Sequence, residues 1–258
     1  MLGLGLSLPQ TSALFGGFKP SDISNLDLHY DFSTVGSEYA DGDSVTSWTN
    51  IGLGGSNYNI KGGGTKDPVA DTVGGMGSLD SCRFSSSRFD MDNTYLTTGK
   101  TYTLFGAYKR DDLDDTDTLF AGEVQQRSQY GLYSNVNAMT ICGSADSTSG
   151  NTLKGINCNN TTGGTVAYQF TTNIEVLLAT VDDVTVNVYN QNDDFIGTGT
   201  LNTNGTTDTN FQAKYLGATS TTGSAHETWI GELGLYNKVL SRTEITNLIT
   251  YLKSRWIG

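Results

Sequence analysis

Glu175-Val176-Leu177-Leu178-Ala179-Thr180-Val181, then Asp182-Asp183, then Val184-Thr185-Val186-Asn187-Val188-Tyr189 is the stretch that decides the fold. The first segment is nearly all apolar, as a strand buried on both faces must be. The last alternates strictly between apolar and polar residues, with the period of a half-buried strand. The two aspartates between them fit a tight hairpin turn. Working outward, residues 101–109 form another strand signal, with Tyr102, Leu104 and Tyr108 on one face and Phe105 and Ala107 on the other. Apolar residues on both faces mark a central strand covered on each side. Leu28-His29-Tyr30-Asp31-Phe32 and Ser44-Val45-Thr46-Ser47-Trp48 alternate too, the second after the turn Asp41-Gly42-Asp43. Shorter extended pieces recur through to residues 229–236. Strands at this spacing, without helices between them, indicate a sandwich and not βαβ units.

Composition agrees. The chain has 258 residues, with 32 Gly and only 3 Pro. Charged residues make up 16%, below the roughly 25% usual in soluble domains. Gly, Thr, Ser and Asn fill the turns that many short strands require. A chain of this length is expected to form one sandwich domain.

The C-terminus is the one helical segment. Ser241-Arg242-Thr243-Glu244 is a capping box, and Leu240 with Ile245 fits a hydrophobic staple. Ile245, Leu248, Ile249, Leu252 and Trp256 follow at helical spacing. These predict an amphipathic helix over residues 242–255, packed on the sandwich. Residues 1–26 differ from the rest: Gly-rich, uncharged at first and without a period. They are read as an N-terminal arm, with a disordered leader as the other reading, and residues 27–258 as the domain.

Two stretches resemble concanavalin A-like, laminin-G-type jelly rolls. Leu28-x-Tyr30-Asp31-Phe32-Ser33 with Asp41-Gly42-Asp43-x-Val45-x-x-Trp48 is similar to their opening strand and the segment after it. The run from Ile230 to Ser241, then Glu244 and Tyr251-Leu252, is similar to their closing strand and helix. The 176–190 hairpin fits their middle hairpin. The resemblance implies a two-sheet antiparallel jelly-roll sandwich with one C-terminal helix. Residues 62–81 and 143–164 depart from it, being longer than a minimal domain needs.

The net charge of −12 repels phosphate backbones and anionic membranes, so neither nucleic acid nor a bilayer is an expected partner. No Lys or Arg precedes Lys19, so the positive region of a secretory leader is missing, and synthesis in a cytosol is expected. Three cysteines, Cys82, Cys142 and Cys158, are not a disulfide framework. A Cys142–Cys158 bridge is conceivable, and inert thiols are the other reading.

Catalysis finds little support. Glycoside hydrolysis needs two facing carboxylates, and glucanases of this fold carry E-x-D-x-x-E, which is missing here. Glu227 and Glu232 straddle Trp229, but a spacing of five places them on opposite faces of a regular strand. The two histidines, His29 and His226, have no G-x-S-x-G serine to serve and read as structural. Calcium is the one cofactor the residues raise. Asp111, Asp112, Asp114 and Asp115 supply hard oxygen ligands, as do Asp41/Asp43, Asp90/Asp92 and Asp193/Asp194. The 111–117 run lacks the Gly of an EF-hand loop, so a solvated turn is the alternative. For sugars, Trp48, Trp229 and Trp256 read as packing, while Tyr58, Tyr95, Tyr130 and Tyr133 stay open.

Two functions follow as expectations. An arm on an acidic Thr/Asn/Gly-rich sandwich is similar in style to accessory structural proteins of tailed bacteriophages. That likeness implies a non-enzymatic virion protein, a capsid-decorating cement protein or a tail appendage. It would pair with other virion proteins and with itself by burying Leu2, Leu4, Leu6, Leu8, Leu14, Phe15 and Phe18. The alternative is a lectin-like adhesion module that binds glycan, with or without calcium.

Overall fold

The computed structural model describes residues 17–62, 66–113, 117–122, 128–132, 138–143, 155–157, 168–201, 210–217 and 227–258. In chain order the strands are β1 (Leu26–Asp31), β2 (Ser47–Trp48), β3 (Ile60–Gly62), β4 (Val69–Met76), β5 (Leu79–Ser85), β6 (Phe89–Leu96), β7 (Thr101–Arg110) and β8 (Asp117–Ala121). They continue with β9 (Ser128–Leu132), β10 (Ala138–Gly143), β11 (Gly155–Asn157), β12 (Glu175–Asp182), β13 (Thr185–Tyr189), β14 (Phe195–Thr200), β15 (Gln212–Leu216) and β16 (Glu227–Tyr236). Helix α1 (Arg242–Trp256) closes the chain. One sheet runs β14-β13-β12-β7-β16-β5-β4, with β1 also paired to β16, and the other runs β11-β10-β9-β8-β15-β6-β3-β2. All pairings are antiparallel. This is the expected two-sheet jelly-roll sandwich with one terminal helix.

The faces read from sequence are the faces observed. Tyr102, Leu104 and Tyr108 of β7 join Leu177, Ala179 and Val181 of β12 in the core between the sheets. Phe105 and Ala107, with Val176 and Leu178, face outward into a second apolar cluster under α1. Ile245, Leu248, Ile249, Leu252 and Trp256 of the helix fill that cluster. Burying such side chains is worth about 1.5–3 kcal/mol each. The helix starts as expected: Ser241 N–H donates to Glu244 Oε2 at 2.8 Å, and Glu244 N–H returns to Ser241 Oγ at 3.4 Å. The β12–β13 turn falls one residue later than its sequence suggests. Asp183 and Val184 make it, with Asp183 at φ 54°.

Residues 20–26 correct the arm boundary. Pro20–Asp22 form a short 3₁₀ turn. Ile23 and Leu26 are buried in the cluster under α1, and Tyr236 Oη donates to the Pro20 carbonyl at 2.8 Å. The apolar end of β16 and the helix leave a gap that these side chains fill. They carry no period because the segment is not one regular element.

β16 also departs from regular geometry. Its register to β7 shifts between Ile230 and Glu232. Ile230 and Leu233 both face the inter-sheet core, while Trp229 and Tyr236 lie on the helix side. The inserted residue is Gly231, and the Trp256 ring sits against it: a Cβ there would lie 2.4 Å from the indole. The bulge puts Glu227 and Glu232 on the same, helix-bearing face. The expectation that they lie on opposite faces is thereby corrected.

Candidate binding cleft

A turn over residues 190–194 joins β13 to β14, and Asn190 builds it. The Asn190 Oδ1 accepts the Asn192 and Asp194 amides at 2.9 and 3.1 Å, and its Nδ2 donates to Asp194 Oδ2 at 3.3 Å. Such side-chain bonds to nearby amides are what Asn supplies in turns. Asp193 sits at φ 63°, a left-handed conformation that only Gly, Asn and Asp visit with ease. The helix holds it there. Arg242 grips the Asp193 carboxylate with both nitrogens at 2.5 and 2.8 Å and its carbonyl at 3.0 Å. Thr246 Oγ1 adds a bond at 2.8 Å, and Lys253 Nζ reaches Asn192 Oδ1 at 3.0 Å.

Between this turn and α1 lies an open cleft of about 300 Å³, lined by Gln191, Asn192, Asp193, Thr250, Lys253 and Ser254 together with Ile249 and Gly258. Thr250 and Ser254 also line a smaller hollow with Phe18, Asn247 and Tyr251. The Phe18 and Tyr251 rings meet edge to face at 6.2 Å. Amides, hydroxyls, one ammonium and one carboxylate thus stand beside two aromatic rings, on a turn and a helix that are already locked. A site of fixed polar groups next to ring surface can orient a hydroxyl-rich ligand.

Gln191 leads inward. Tyr168 Oη bonds Gln191 Oε1 at 2.9 Å and Glu175 Oε1 at 3.3 Å. Glu175 is buried and also accepts the Thr171 amide at 2.7 Å, the Thr171 hydroxyl at 3.2 Å and the Tyr108 hydroxyl at 3.3 Å. Burial raises its pKa above the usual carboxylate value, and these hydrogen bonds and the Arg110 charge pull the other way. At the same end of the sandwich Asp117 is buried and accepts the Thr228 hydroxyl at 2.6 Å.

The other residues singled out above fall as follows. Asp111 accepts the Glu227 amide at 3.1 Å, and Asp112 is half-buried. Asp114 and Asp115 lie outside the described residues, as do His226, Tyr133 and the proposed Cys142–Cys158 pairing. Asp90 pairs with Arg88 and Asp92 with Lys61. Asp41 accepts the amide of Thr72 in β4, and Asp43 accepts the Ala40 amide within its own turn. Among the described residues no three His, Cys, Asp or Glu side chains converge on one point. Tyr95 and Tyr130 are core residues, bonded to Asp27 and the Leu177 carbonyl. Trp48 and Trp256 are buried, whereas Trp229 is half-buried, bonds Asp71 at 2.6 Å and lies under Lys109. Leu2, Leu4, Leu6, Leu8, Leu14 and Phe15 lie outside the described residues. Phe18 packs on Tyr251 of its own chain. The cleft itself escaped the sequence reading: its polar residues come from segments about sixty positions apart. The one available signal was the Asn190–Asp194 turn composition.

No protein-family model matches the chain, and no curated protein sequence matches it. Solved structures do. The binding domain of Paraclostridial Mosquitocidal Protein 1 aligns with TM-score 0.56 and 13% identity, over 88% of this chain and 52% of its own. The binding domain of botulinum neurotoxin DC, in complex with SialylT, aligns with TM-score 0.54 and 12% identity, over 89% and 52%. The sialidase of Trypanosoma rangeli, in complex with sialic acid, aligns with TM-score 0.51 and 13% identity, over 92% and 34%. The chain spans about half the length of the two toxin binding domains and a third of the sialidase. Across these proteins the shared property is the β-sandwich fold.

Proposed function

We propose that this protein is a non-catalytic glycan-binding module that holds sugar in the cleft between the 190–194 turn and α1. The observation that carries the reading is the cleft's lining: Asn192, Gln191 and Lys253 on one side, Thr250 and Ser254 shared, and the Phe18–Tyr251 ring pair beyond. Sugar hydroxyls pair with amides and charged groups, and sugar C–H faces pack on rings. The structural neighbours support it in a general way, since two of them were solved with sialylated or sialic acid ligands. Among the described residues, the two carboxylates that share the helix-bearing face of β16 are not placed as an acid–base pair. Glu232 is wholly buried, and Glu227 faces Arg83 at 3.5 Å.

The test is a glycan array on the full chain, followed by titration of the best ligand against Asn192→Ala and Lys253→Ala. We expect at least a tenfold loss in each. An array without binders, or variants that bind like the wild type, overturns the reading. The virion-assembly reading rests on residues 1–15 and on Phe18, which is engaged within its own chain. Light-scattering mass of residues 1–258 beside 17–258, which keeps the packed 20–26 segment, tests it: a trimer or larger that becomes a folded monomer on truncation favours assembly.

A further inference from the structure

The hydrogen-bond character of the cleft is uneven. Two charged side chains line it, Asp193 and Lys253. Both Asp193 carboxylate oxygens are spent on Arg242, and Oδ2 takes the Thr246 hydroxyl as well. Lys253 is half-buried and makes no ion pair among the described residues. Its one partner there is neutral: Nζ donates to Asn192 Oδ1 at 3.0 Å. An ammonium has several N–H donors and no acceptor, so Lys253 keeps donors for a ligand. The same bond fixes the Asn192 amide. Its oxygen must face the ammonium, which leaves Nδ2 as a second donor without a partner among the described residues. The cleft hydroxyls have the reverse character. Thr250 Oγ1 donates to the Thr246 carbonyl at 2.7 Å, and Ser254 Oγ donates to the Tyr251 carbonyl at 2.9 Å. With their protons committed to the helix, they meet a ligand as acceptors.

We propose that the cleft selects glycans carrying an anionic group, a carboxylate or a sulfate, held by Lys253 Nζ and Asn192 Nδ2. Neighbouring sugar hydroxyls donate to Thr250 and Ser254. A charged acceptor on an ammonium makes a hydrogen bond roughly twice as strong as a neutral pair. A neutral sugar offers the same donors hydroxyl oxygens alone and leaves the Lys253 charge unpaired. The chain's net charge of −12 opposes an anion at long range, but salt screens it beyond about 8 Å, so the contacts decide. This inference rests on the cleft being the sugar site.

Calorimetric titration of the full chain tests this with four probes: sialyllactose, its methyl ester, sulfolactose and lactose. We expect at least one of the two anionic probes to bind at least tenfold tighter than the ester and lactose. Tight sialyllactose with weak sulfolactose identifies the carboxylate, the reverse identifies the sulfate, and equal binding makes either anion sufficient. Lys253→Met keeps the apolar stem without the charge, so the preference for the anion should vanish, while Lys253→Arg should keep it. If Lys253→Met does not fold, Asn192→Ala carries the same comparison. Equal binding of anionic and neutral probes, lost in Asn192→Ala, overturns the anionic preference and leaves the cleft reading standing. A preference for the anion that survives both Lys253→Met and Asn192→Ala places the sugar elsewhere and overturns both. No binding of either anionic probe overturns this inference, and the glycan array then decides the cleft reading alone.

Discussion

The Glu232 carboxylate meets His29 Nε2 at 2.8 Å across 203 positions of sequence. Its other oxygen accepts the Trp256 indole N–H at 2.9 Å. Neither Glu232 oxygen reaches water, since the residue is 0% exposed. One side chain thus ties the first strand, the last strand and the end of the helix. Arg255 extends the tie, bonding Asp31 at 2.7 Å and Ser33 Oγ. Glu232→Ala leaves His29 and Trp256 without this acceptor, while Arg255 loses a carboxylate 3.5 Å from its Nε and keeps Asp31. We expect a loss of about 1–3 kcal/mol for each buried donor left unsatisfied. Urea denaturation measures it, and a loss below about 1 kcal/mol would show the tie to be dispensable.

Gly231 makes that tie geometrically available. Only a residue without Cβ lets the Trp256 ring lie on the bulge, since a Cβ would approach it to 2.4 Å. Gly231→Ala must push the indole outward and lengthen its bond to Glu232. We expect about 1–3 kcal/mol of destabilisation, as for other overpacked cores, and a changed near-ultraviolet dichroism from Trp256. A variant with the wild-type spectrum would place the ring elsewhere.

These two residues also show where sequence reading stops. The helix was legible because capping box, staple and apolar stripe are local, and each is met by the structure. The β12–β13 hairpin was legible for the same reason. The bulge was not, because an inserted residue is fixed by the packing of Trp256, which lies 25 positions downstream. With the bulge unseen, counting along the strand put Glu227 and Glu232 on different faces. The cleft was hidden in a similar way: Arg242, Thr246 and Lys253 look like an ordinary solvated helix face until the 190–194 turn is set beside them.

Glu175 gives the stability a pH dependence of stated sign. Burial raises its folded pKa, against the pull of Thr171, Arg110 and Tyr108. The folded state therefore favours the protonated form. The stability this gives is full below the unfolded value of about 4.3 and is lost as pH rises through the folded value. Glu175→Gln removes the titration. We expect wild-type stability, measured relative to that variant by urea denaturation, to fall from pH 4 toward pH 7. A relative gain over that range would mean that the hydrogen bonds outweigh burial.

The turn at Asp193 separates stability from binding. Its ion pair with Arg242 is worth little on its own, because the arginine side chain is 57% exposed; such pairs contribute about 0–1 kcal/mol. Asp193→Ala loses the clamp and keeps the strained φ of 63°. Asp193→Gly loses the clamp but relieves the strain, so it should be the more stable of the two by about 1 kcal/mol. If the clamp positions Asn192 and Gln191 for a glycan, both variants lose affinity to a similar extent despite that difference. Thermal melts and calorimetry on the same samples read the two quantities. Binding that follows stability, with Asp193→Gly near the wild type, would make the turn a mere structural element and move the search for the sugar site to another face.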